Sequence, residues 1–129
     1  MDILNPAAWK RPKGYANGIA ATGRQIFVAG QIGWTAQEEI ETDDFAGQVR
    51  QALTNIATVL AEGGAGPEHM TRMTWYVVDK KEYLAAARDI GKAYRDVMGD
   101  AYPAMTLVQV ADLLEDRAKV EIEVTAVVP

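Results

Sequence analysis

The stretch Tyr102–Val128 decides how this chain is read: YPAMTLVQV, then ADLLEDRAK, then VEIEVTAVV. In both flanks, β-branched and apolar residues recur at a period of two, the pattern of a strand with one buried face. Val120, Ile122, Val124 and Ala126 fall on one side of the second flank, and Glu121, Glu123 and Thr125 on the other. Two carboxylates therefore share the outer face of a mostly apolar strand. Simple solvation explains an exposed Glu pair. A Glu facing a pocket would instead move protons.

Upstream, the chain reads as β-β-α-β-α before these two strands. Residues 1–14 hold Pro6, Pro12 and the pair Lys10-Arg11 and read as an irregular lead-in, with Trp9 covering a sheet edge. Asn17–Ala21 and Gln25–Ile32 read as strands, and Thr22-Gly23-Arg24 between them suits a hairpin turn. Gly33–Thr42 is a polar loop. Asp43–Glu62 carries Phe45, Val49, Ala52, Ile56, Val59 and Leu60 at helical spacing. Thr42, Asp43 and Asp44 suit its N-terminal end, and Gly63-Gly64 stops it. Met70–Asp79 alternates again, with Met73, Trp75 and Val77 opposite Thr74, Tyr76 and Val78. Lys80–Met98 reads as a second helix, its stripe formed by Leu84, Ala87, Ile90, Gly91, Tyr94 and Met98.

No internal linker divides residues 1–129, so one α+β domain is expected. Two helices lying on one face of a five- or six-stranded sheet leave the other face open. Burial of that face against further subunits is the economical solution.

Composition narrows the chemistry. The chain has no cysteine, no serine and a single histidine, His69 in a Pro-Glu-His loop. Thiolate or serine nucleophiles and paired-histidine metal sites have no residues to build them. Carboxylate, tyrosine, lysine, threonine, backbone and water remain, and no metal or cofactor is expected. The net charge of −5 disfavours nucleic acid and anionic membranes. No apolar run approaches the roughly 18 residues of a membrane span. A soluble cytoplasmic protein is the expectation.

Pro103–Val110, the acidic loop after it and the run from Val120 to Val127 resemble the C-terminal signature of the RidA (YjgF/YER057c/UK114) family. Gly14–Gly18 and Phe27–Ile32 fit the same pattern upstream. The resemblance implies a chorismate-mutase-like α+β fold, assembled as a homotrimer with three clefts between subunits. It implies a small-molecule ligand and hydrolysis of a reactive enamine or imine to a ketone and ammonia.

Carried over by motif position, Glu121 is the acid/base acting through water, with Glu123 the alternative on the same face. Tyr15 supplies an aromatic hydroxyl or packs at a strand edge. Gly30 and Gln31 bring backbone to the ligand, and Thr106 and Leu107 line it from the facing strand. Where the deaminase branch carries an arginine that clamps the substrate carboxylate, this chain has Met105. A thioether offers neither charge nor paired donors. Arg88 on the second helix is the replacement candidate, and Arg72 a weaker one. Trp34 is placed to stack on a flat ligand. A trimer that binds a metabolite without turning it over is the second reading, and an endoribonuclease, a label some relatives carry, the third.

Overall fold

A computed structural model describes residues 1–129. Its strands are β1 (Asp2–Ile3), β2 (Ile19–Ala20), β3 (Arg24–Ile32), β4 (Met70–Val77), β5 (Ala104–Gln109) and β6 (Val120–Val128). The helices are α1 (Phe45–Glu62), α2 (Lys80–Ala85) and α3 (Ala87–Met98). The main sheet has four strands in the order β3-β6-β4-β5. Strand β6 pairs antiparallel with both β3 and β4, while β4 and β5 are parallel.

The core forms where the apolar sides of the strands meet α1 and α3. Val120, Ile122, Val124 and Ala126 of β6 are buried with Met73, Trp75 and Val77 of β4. Val49, Leu53, Ile56 and Leu60 of α1 cover them, and Ile90, Tyr94 and Met98 of α3 complete the cluster. The opposite side of the sheet carries polar residues and Phe27, which is 71% exposed. The expectation of helices on one face holds. Asp44 caps α1 by accepting the Gly47 N–H at 2.9 Å, and Gly63 closes its C-terminus.

Several expectations are corrected. The segment Lys80–Met98 is two helices, joined at Ala86. Alanine favours helix, so the break is tertiary in origin. Tyr83 packs edge-on against both Phe45 and Trp75, which leaves Leu84 64% exposed. Ala87 lies outside the core too, and Val59 of α1 is 38% exposed, so these three leave the buried stripes.

The hairpin around Gly23 does not form. Strand β2 pairs instead with β1, inside the stretch expected to be irregular. The sheet is accordingly four-stranded with a separate two-stranded ribbon. Gly23 has φ 150, and a Cβ there would sit 2.8 Å from the Val128 carbonyl carbon. Its lack of a side chain lets the chain cross the end of β6 rather than turn a hairpin.

One polar side chain is sealed in the core. Gln48 donates to the carbonyls of Thr42 and Arg117, both at 3.0 Å, and accepts the Lys119 N–H at 2.8 Å. It ties α1 to the loop that delivers β6. Gln48→Leu keeps the volume but leaves three backbone groups unpaired. At about 1 kcal/mol or more for each, unfolding in urea is expected to cost about 3 kcal/mol less. A loss under about 0.5 kcal/mol would show that water takes over these bonds.

Candidate functional site

The open face of the sheet is built by alternation on strands that the core has already fixed. Glu121 lies opposite Tyr76 on β4 and Ile32 on β3, and Glu123 lies opposite Thr74. Strand β3 bulges here. Val28 opposes Val124 and Gln31 opposes Ile122, so Ala29 and Gly30 together face the single residue Glu123. The Gln31 side chain donates to the Ala29 carbonyl at 3.2 Å across the bulge.

Gly30 and Glu121 meet at that bulge. A Cβ on Gly30 would fall on the Glu121 carboxylate, 2.8 Å from its Cδ. Gly30 has no positive φ, so its role is room rather than backbone freedom. The Glu121 carboxylate is partly exposed and takes part in no hydrogen bond or ion pair within the chain. Glu123 is engaged: Tyr76 Oη donates to its Oε1 at 2.8 Å. That bond, followed by burial and the charges of Glu123 and Glu121, raises the Tyr76 hydroxyl above its ordinary pKa, against a lowering by Arg72. Arg72 lines a shallow groove with Phe27, Thr74 and Glu123 on this face.

The other candidates lie apart from Glu121 within one chain. Tyr15, 42% exposed, borders a groove with Trp9 and Tyr102. It adjoins Ala16, which bridges Ala104 at the start of β5, the far edge of the sheet. Met105 pairs with Met73 and Leu107 with Trp75, and both pack against the helix-side core. Thr106 shares the open face, opposite Thr74. Trp34 lies two residues beyond Ile32, where it bridges Ile40 and borders a groove with Arg117. Arg88 is exposed on α3 with no ion-pair partner. His69 is bound up locally, its Nδ1 accepting the Gly66 N–H at 3.0 Å. The chain contains no cluster of three or more residues suited to holding a metal ion.

Residues 7–128 match the family described as Endoribonuclease L-PSP. The chain belongs to this family, the RidA (YjgF/YER057c/UK114) group. A RutC family protein of Synechocystis is 33% identical over 132 residues, covering 100% of this chain and 98% of that protein. The cattle protein named 2-iminobutanoate/2-iminopropanoate deaminase is 29% identical and spans 81% of this chain and 73% of its own length. Among solved structures, YyfB of Yersinia pestis, a Rid family protein of unknown function, superimposes with a TM-score of 0.87 at 28% identity, covering 98% of both chains. The α+β architecture expected from the RidA resemblance is the one observed.

Sequence reading did not single out Tyr76. Alternation places it on the outer face, but its reach to Glu123 depends on β4 pairing with β6, which lies far along the chain. The pairing is testable by titration. Glu123→Gln removes the anionic acceptor, so the Tyr76 hydroxyl is expected to ionise at lower pH, nearer 10.0. Carbon-13 NMR of the tyrosine ring carbons checks this, and an unmoved Tyr76 curve would show that the bond is not formed in solution.

Proposed function

We propose that this protein hydrolyses a small reactive imine or enamine in a cleft shared between copies of the chain, with Glu121 as the acid/base. The observation that carries this reading is the seat of Glu121. Its carboxylate lies against the missing side chain of Gly30, free of internal partners, while Glu123 is held by Tyr76. That contrast favours Glu121 over Glu123 on grounds independent of motif position. The deaminase name of the cattle relative supports the reaction class.

The chemistry needs one positioned carboxylate and a water. Glu121 takes a proton from the water as its oxygen bonds to the C=N carbon and passes that proton to the nitrogen. The tetrahedral intermediate then hands its hydroxyl proton to the nitrogen through the same carboxylate as the C–N bond breaks. One imine and one water are consumed, and one ketone and one ammonia leave. An enamine first takes a proton on carbon, which the same carboxyl group can supply.

The placement of the candidates also supports a shared cleft. Gly30 is on one edge strand of the sheet, and Tyr15 and Met105 are at the other. Three strand spacings separate these edges, about 14 Å. Apposing the β3 side of one copy to the β5 edge of the next unites them, and a homotrimer repeats the arrangement three times. Such packing would also cover Phe27 and the partly exposed Val108. The net charge of −5 and the two carboxylates on the open face do not suit RNA.

The test generates imines from alanine and phenylalanine with an amino-acid oxidase and follows ammonia release. The wild-type chain is expected to accelerate release from at least one of them. Glu121→Gln is expected to lose about 100-fold or more, in the range of general acid–base catalysis, with unchanged melting temperature. Equal rates for wild type and Glu121→Gln would remove Glu121 from the role, and a larger loss in Glu123→Gln would transfer it there. Saturable binding without ammonia release would leave a metabolite-binding protein.

A further inference from the structure

Met105 faces a further concavity, on the helix side of the sheet between α3 and β5. It has a volume of about 530 Å³, within the range of small-molecule sites. Trp75, Tyr83, Tyr94 and Tyr102 line it together with Met105. Tyr94 and Tyr102 are stacked, with centroids 5.1 Å apart. Trp75 and Tyr83 meet edge to face at 6.2 Å. Flat aromatic surfaces and a polarizable thioether are partners for another ring.

A further feature asks for an anion. Arg95 and Lys13 border the groove, and neither pairs with a carboxylate, whereas Arg50, Lys92, Arg117 and Lys119 all do. A Cβ on Gly91 would lie 3.2 Å from Arg95 Nη1. Glycine is a poor residue inside a helix, and here it clears the strip along which the guanidinium lies.

We propose that this groove binds a flat aromatic carboxylate, its ring against Met105 and the aromatic side chains and its carboxylate at Arg95 and Lys13. The inference deepens the proposed function by naming its substrate class, and it rests on that reading only for the reacting end of the ligand. The anion anchor moves from strand β5, where Met105 cannot serve, to the last turn of α3 and the lead-in segment. A carboxylate-bearing aromatic imine would then enter by its ring and present its reacting carbon toward the edge of β5.

Calorimetric titration of the full chain with 2-naphthoate, 2-naphthamide and pyruvate tests the site. Naphthoate is expected to bind saturably and about tenfold more tightly than the amide or pyruvate, as a charge-assisted contact requires. Arg95→Gln, an exposed change, is expected to lower naphthoate affinity to that of the amide. Equal affinity for acid and amide, preference for pyruvate, or wild-type binding by Arg95→Gln would each overturn the proposal. Calorimetry reads binding without turnover. Naphthoate binding with no ammonia release from any imine would remove the hydrolase reading and keep this site, and the converse would remove this site alone.

Discussion

Strand β6 cannot slip. It is bonded to β3 on one side and β4 on the other, and Val120, Ile122, Val124 and Ala126 are all buried against the helices. A shift of one residue would turn Glu121 and Glu123 into that core, and burying unpaired carboxylates costs far more than the strand pairing could return. Hydrophobic burial on one face therefore fixes the carboxylates on the other. Placement of the candidate acid/base group is a by-product of core packing, and the bulge at Ala29-Gly30 finishes it by making room beside the carboxylate.

The same sheet separates what its two edges carry. Glu121 and Gly30 lie toward β3, while Tyr15 and Met105 lie at β5. A single chain thus holds its candidate residues on different faces and edges of the sheet. Gln48 anchors the strand that carries Glu121. It joins α1 to the loop between β5 and β6, so the strand bearing Glu121 starts from an anchored point. Asp96 of α3 reaches α1 through Arg50 and also takes Lys92 one turn back on its own helix. It is an exposed cluster, of the kind that adds little stability.

Met105 does more than leave a charge out of β5. The methionine turns inward beside Trp75 and joins an aromatic lining that α2 and α3 complete. The break at Ala86 belongs to this arrangement, because it lets Tyr83 reach Trp75 and Phe45 while α3 takes its own direction. Aromatic rings and a thioether are thereby gathered on one wall by one local packing arrangement.

Alternation in VEIEVTAVV, the stripe on α1 and the motif around Pro103 were enough to reveal the α+β class, the family and the face on which Glu121 lies, because each is a local period set by backbone geometry. The break at Ala86 escaped that reading: an alanine-rich run is helical by propensity, and only contact with Phe45 and Trp75 redirects it. Gly23 escaped too, since a glycine between two strand-like runs does not reveal whether it turns a hairpin or slides past Val128. The Tyr76–Glu123 bond, the seat of Glu121 on Gly30 and the aromatic groove join residues from separate parts of the chain. Their existence depends on strand order and register, which the burial energy of the assembled core selects and which no local pattern carries.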